Sequence, residues 1–253
     1  MVAAFLIYHF TVHTIRNQRP LGGANVNVTR GDGGQSEASF AVHPARPQVL
    51  FGASTQLFVY GSANGGRTWR SEDGPALREP ACLHGEPQSV AGSAREFLAF
   101  LVAPTCGDLL TPYLAVTSRA YTNAPWVPVT RVAPPTWQYG FDDAPALALD
   151  RRSGRLYLAW TRSLSVKAAA VVSSGSNDGG RTWSRPVVVA AAAPTRVGDL
   201  FTDLQTSTGL SPMVVADRGV AHAFWINIGE VDFAQDIYTA ALSERAAFLT
   251  LRR

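Results

Sequence analysis

Residues 176–183 read Ser176-Asn177-Asp178-Gly179-Gly180-Arg181-Thr182-Trp183. The same frame occurs earlier as Ser62-Ala63-Asn64-Gly65-Gly66-Arg67-Thr68-Trp69, with Asn64 where the later copy has Asp178, 114 residues apart (62 to 176). Each residue type has a mechanical reason to be there. A short Asp or Asn side chain accepts hydrogen bonds from the N–H groups of the turn it opens. The paired glycines supply left-handed backbone without a Cβ clash, and the tryptophan offers a large apolar wedge. Between the copies, Ser118-Arg119-Ala120-Tyr121-Thr122-Asn123-Ala124-Pro125-Trp126 reads as a degenerate version that keeps the Trp. These positions (Ser62, Asn64, Gly66, Thr68, Trp69 and Ser176, Asp178, Gly180, Thr182, Trp183) are therefore expected to be structural corners rather than reactive groups.

Working outward from these corners exposes a longer repeat. Four apolar strands end in small and aromatic residues: 49–53 (Val-Leu-Phe-Gly-Ala), 96–100 (Glu-Phe-Leu-Ala-Phe), 156–160 (Leu-Tyr-Leu-Ala-Trp) and 222–225 (His-Ala-Phe-Trp). Their last residues fall at 53, 100, 160 and 225, spacings of 47, 60 and 65. Each follows a tight-turn sequence, such as Asp150-Arg151-Arg152-Ser153-Gly154 or Asp217-Arg218-Gly219. Third strands are expected at 57–61, 113–118, 168–173 and 236–242, and weaker fourth strands at 68–70, 126–132, 182–189 and 246–251. Four-stranded antiparallel units repeated in this way specify an all-β chain, a β-propeller with about four blades present. The blades are placed at 36–75, 84–132, 142–190 and 207–253 of a propeller domain spanning 31–253, behind an N-terminal extension or remnant strand at 1–30.

Composition agrees. The 253 residues are 46% hydrophobic and 16% charged, with 22 Gly and 16 Pro, a balance that favours many tight turns over long amphipathic helices. Net charge is +3, yet Lys167 is the only lysine and the arginines are scattered singly or in pairs. No concentrated basic stripe marks a nucleic-acid surface, and no anionic partner is indicated. No apolar run is long enough for a membrane span. The apolar start, residues 1–8, lacks the basic region of a signal peptide.

In such blades the corner motifs mark one end, the back. The front is built from connections 78–86, 133–144 and 197–211 and loops 103–112, 163–167 and 227–235, where binding residues are expected. Glu37, Glu86, Asp142 and Asp143 recur where the innermost strands begin, so they should converge at the mouth of the central channel. There they can contact a sugar or a metal, perform acid/base work, or cap loop N–H groups. Glu86 with Asp142 or Asp143 is the candidate catalytic pair. Trp137 and Tyr139 could stack on a sugar ring, and Asp199, Asp203, Glu230, Asp232 and Asp236 add negative charge. Cys82 and Cys106 both fall at the front, which makes a disulfide, and with it an extracytoplasmic location, a reasonable expectation. The five histidines and two cysteines form no metal-ligand spacing; no metal and no cofactor is expected.

The corner motif resembles the S-x-D-x-G-x-T-W Asp box of sialidase-like, bacterial-neuraminidase-repeat propellers, and the blade rhythm extends the resemblance over residues 36–245. That family's enzymes grip substrate with three arginines and use a Tyr–Glu nucleophile pair with an Asp acid/base. The first arginine lies in a Phe/Tyr-Arg-Ile-Pro motif, which neither Ile15-Arg16-Asn17 nor Gln18-Arg19-Pro20 matches. Family members usually have six or more blades, so a truncated gene product is one expectation here. The resemblance implies a glycan- or protein-binding module without an identifiable catalytic set. The alternatives are an exo-α-sialidase-type glycoside hydrolase, or a fragment of one, and an intracellular propeller scaffold.

Overall fold

A computed structural model describes residues 26–29, 35–77, 83–103, 112–121, 124–132, 142–165, 168–191, 212–228 and 235–242. They form four antiparallel sheets in sequence order. The first holds β1 (Ser39–Val42), β2 (Leu50–Ser54), β3 (Phe58–Ser62) and β4 (Arg70–Glu72), with a 3-10 turn at Thr55–Leu57. The second holds β5 (Leu83–Ala91), β6 (Arg95–Ala103), β7 (Tyr113–Ala120) and β8 (Thr130–Arg131). The third holds β9 (Asp142–Leu149), β10 (Leu156–Ser165), β11 (Ala168–Ser176) and β12 (Val187–Ala191). In the fourth, β13 (Met213–Asp217), β14 (Val220–Ile228) and β15 (Gln235–Leu242) are described. Strands pair in simple up-and-down order, and the first strands of successive sheets touch one another (β1 with β5, β5 with β9, β9 with β13). This is the β-propeller arrangement expected from the repeat.

Packing between sheets explains why the second strands read as almost unbroken apolar runs. Along β10, Leu156, Leu158 and Trp160 face the second sheet, joining Phe97, Leu101, Leu114 and Val116. Tyr157 and Ala159, on the alternate face, join Ala221, Ala223 and Trp225 of the fourth sheet. A third cluster, including Ala53, Val59, Leu98 and Phe100, joins the first sheet to the second. A strand buried on both faces has no polar side to show. The outermost described strands have one neighbour each, and two of the three are shorter than the sequence suggests: β8 covers only Thr130–Arg131, and β12 begins at Val187 rather than at 182, while β4 keeps the expected three residues, shifted by two.

The two S-x-[DN]-x-G-x-T-W turns are near-copies in space. Gly66 N–H donates to Ser62 Oγ and Gly180 N–H to Ser176 Oγ, both at 2.9 Å. Thr68 N–H donates to Asn64 Oδ1, and Thr182 N–H to Asp178 Oδ1, again at 2.9 Å. The Trp indole donates to the carbonyl of Gly66 (2.9 Å) or Gly180 (3.2 Å). All four glycines have φ between 71° and 84°, which any L side chain would resist. The Asp/Asn difference is absorbed by the threonine hydroxyl. It donates to Asp178 Oδ2 at 2.6 Å in one turn and accepts from Asn64 Nδ2 at 2.9 Å in the other. The degenerate segment after β7 works differently. Arg119, buried beneath Trp126 at 4.5 Å, bonds Glu96 at 2.7 Å and also Glu72 of the first sheet, so it ties two sheets together.

Hydrogen bonds from Thr182 Oγ and N–H hold the Asp178 carboxyl down to about 2. Because the unfolded value is near 3.8, this stabilisation is present above about pH 4 and is lost as pH falls towards 2. Asp178→Ala should cost about 1–2 kcal/mol at pH 7 in chemical denaturation. Asp178→Asn, which copies the first turn, should cost less and should lose the acid dependence.

Candidate functional site

The starts of the inner strands converge as the sequence implies, and backbone geometry organises them. Glu37, Glu86 and Ala144 lie at corresponding points of three successive sheets, and all have positive φ (53°, 50° and 46°). At the last two, the inner ladder slips register, between Gly85 and Gln88 and opposite Ala159 and Thr161. Such bulges re-aim side chains at a sheet end. The carboxylate of one sheet then accepts the backbone N–H of the next: Glu86 N–H donates to Glu37 Oε2 at 2.8 Å, and Ala144 N–H to Glu86 Oε2 at 2.6 Å. The result is a stair of carboxyl groups running around the axis.

The Asp143 carboxyl lines the same cavity as Glu86, close enough for each to act on the other's ionisation. Two adjacent carboxyls cannot both ionise freely, so the pair shares a proton. Burial, then the charge of Asp143, pushes Glu86 up to about 7. Burial raises Asp143 as well, opposed by its interaction with Glu86. Glu37, Glu86 and Asp143 line a cavity of about 310 Å³ whose other walls are Thr55, Gly85, Leu101, Ala103 and Pro112. The site is therefore part acidic and part apolar.

Asp142 is not brought to this group. It is fully buried, accepting from Trp160 Nε1 at 2.8 Å and from Arg162 Nε at 2.7 Å and Nη2 at 3.0 Å. Strand alternation turns it away from its neighbour Asp143 and into the blade. The role the structure gives it is a packed ion pair. Trp137, Tyr139, Asp199, Asp203, Glu230, Asp232, Cys82 and Cys106 lie outside the described residues. Sequence reading overlooked Thr55 and Leu101, which nothing but folding gathers, and reached Ala103 and Pro112 only as the ends of front loop 103–112. Alignment of Glu86-Pro87 with Ala144-Pro145 was the available hint of equivalent bulges. No described trio of His, Cys, Asp or Glu is arranged to hold a metal. No described helix is long and apolar enough to cross a membrane.

No protein-family model matches the chain. No curated protein matches it in sequence. Solved structures do match. A GH43 endo-arabinanase from Bacillus licheniformis aligns with a TM-score of 0.51 at 13% identity, over 88% of this chain and 76% of its own. A family 117 glycoside hydrolase of the marine bacterium Zobellia galactanivorans aligns with a TM-score of 0.54 at 9% identity, over 90% and 72%. A Hadza microbial sialidase overlaps less closely, with a TM-score of 0.49 at 13% identity over 81% and 45%. The first two likenesses establish the fold: that of the β-propeller glycoside hydrolases.

Two variants separate the roles of the acids. The folded state holds the Glu86 proton, which the unfolded chain releases near 4.5. Stability therefore falls as pH rises between about 4.5 and 7. Glu86→Gln, which keeps an acceptor for Ala144 N–H, should flatten that fall and gain about 1–2 kcal/mol at pH 8, allowing for screening at the open mouth. Thermal melts from pH 5 to 8 read this directly. Asp142→Ala should instead destabilise the fold by about 3–5 kcal/mol, because it strips the partner from a buried charge.

Proposed function

We propose that the front mouth binds a glycan, and that the chain is an Asp-box propeller of the sialidase-like kind serving as a binding module. The observation that carries this reading is the Glu86–Asp143 pair in a cavity with an apolar wall. A carboxyl that keeps its proton to about pH 7 can donate to a sugar hydroxyl and its oxygens accept from one, while Leu101, Ala103 and Pro112 offer a surface for the ring's C–H face. The volume, about 310 Å³, suits one or two sugar rings. The neighbours' carbohydrate chemistry supports the class of ligand without specifying it.

Hydrolysis is the second reading, and one observation favours it: a carboxyl raised to about 7 suits a general acid at neutral pH. Against it, glycosidase pairs stand about 5–10 Å apart with room for substrate between them, whereas Glu86 and Asp143 line the same cavity and perturb each other's ionisation. Glu37 would have to serve as the second carboxylate.

Calorimetric titration with arabino-oligosaccharides, sialyllactose and neutral hexose oligomers tests both readings. Binding of at least one oligosaccharide, weakened tenfold or more by Glu86→Gln and by Asp143→Asn without loss of fold, is the expected result. Binding by none, or binding untouched by these changes, contradicts the proposal. Reducing-sugar release that Glu86→Gln abolishes would establish hydrolysis instead.

A further inference from the structure

The arginines that look scattered in the sequence are not scattered in the fold. Arg46, Arg151 and Arg152 belong to turns between first and second strands, and Arg67, Arg181 and Arg185 to connections between third and fourth strands; all six are exposed. In an up-and-down sheet both kinds of turn lie at one end, opposite the carboxyl mouth. Contacts across the sheets confirm that these ends share a surface. Gly65 N–H donates to the carbonyl of Gln48 at 2.8 Å, joining the two turns of the first sheet. The ring of His43 stacks 4.2 Å from Tyr121 in the second sheet, and the Tyr121 hydroxyl donates to the Gly92 carbonyl. Gly219 N–H, from the fourth sheet, donates to Asp150 Oδ2 of the third at 2.7 Å. Both Arg46 and Arg151 act electrostatically on Tyr121.

Carboxylates at this end are largely committed. Asp150 is fully buried and accepts from Arg152 N–H, Ser153 Oγ and Gly219 N–H. Asp178 serves its own turn, and Glu72 and Glu96 hold Arg119. Exposed Asp217 sits 3.6 Å from Arg218, and the Asp178 carboxylate is exposed as well, so the six exposed arginines outnumber the exposed acids among the described residues here. The back is thus a broad positive face and the front mouth an acidic one.

We infer that this arginine-studded back face docks the protein on an anionic lipid surface. The charges sit on separate turn tips spread over several sheets, so they form an array rather than a stripe or groove that would follow a polymer chain. A planar layer of phosphate headgroups meets all the tips at once, each basic side chain near such a surface adding to the attraction. The described turn tips present no long apolar element for insertion, so the attraction is electrostatic and screened by salt.

Co-sedimentation of the full chain with vesicles of phosphatidylcholine and phosphatidylglycerol (about 7:3) tests this. Binding is expected at 50 mM NaCl, at least fivefold weaker at 300 mM, and absent with pure phosphatidylcholine. The combined variant Arg67→Gln, Arg151→Gln, Arg152→Gln and Arg181→Gln should bind at least tenfold more weakly with an unchanged melting profile. The matching Arg→Lys set should retain binding, because a field and not a geometry is at work; it also guards against misfolding of the glutamine set. Equal binding to neutral vesicles, no binding to anionic ones, or loss in the lysine set overturns the inference. So does tighter capture by duplex DNA or heparin at the same salt, which would mark a polyanionic chain as the partner.

Discussion

A four-stranded sheet with two apolar faces must be covered on both, and in this chain the cover is the next sheet. Leu156, Leu158 and Trp160 on one side of β10, and Tyr157 and Ala159 on the other, allow no arrangement in which that strand meets water. Stacking sheets this way, with strands running up and down, brings their first strands together around an axis. Within the first sheet, Gly52 leaves room for the ring of its cross-strand partner Phe40: a Cβ there would lie 2.2 Å from that ring and 2.5 Å from the Ser39 carbonyl. Everything functional is a consequence of that convergence.

At one end, convergence crowds carboxyls that lie far apart in sequence. Glu37, Glu86 and Asp143 would repel if all were ionised, and the fold accommodates them in two ways. Backbone N–H groups of the following sheet satisfy Glu37 and Glu86, and one proton stays between Glu86 and Asp143. The left-handed backbone at Glu37, Glu86 and Ala144 is unfavourable for these residues, and at Glu86 and Ala144 the strained N–H is held by a carboxylate of the sheet before it. Strained backbone and raised carboxyl pKa values coincide at this one mouth, which marks it as the candidate site. At the other end, the same geometry collects arginines from turns, so the described residues gather acids at one end and arginines at the other, while the net charge of the chain is only +3.

The sheets were legible in the sequence because their signals are local. Alternation, turn chemistry and the Ser-x-Asp/Asn-x-Gly-x-Thr-Trp frame each act within about ten residues, and the second and third strands lie within a few residues of where those signals put them. The outer strands β8 and β12 are shorter than their composition suggests, since a strand with one neighbour is bounded by its partner's reach. Within the candidate site, the acids were visible but their division of labour was not. Asp142 and Asp143 are adjacent, and only the strand's alternation decides that one is locked to Arg162 and Trp160 while the other meets Glu86. The positive back face was read as absent, because its members stand tens of residues apart and share a surface only after the blades stack.

The claim at the centre is that Glu86 and Asp143, 57 residues apart (86 to 143), share one proton at the axis. Side-chain carboxyl NMR titration of the intact protein measures it most directly. The account predicts that Glu86 titrates near 7, that Asp143 reports the same step, and that Asp143→Asn moves the Glu86 midpoint downward. A Glu86 that titrates near 4.5 and ignores the state of Asp143 would contradict it.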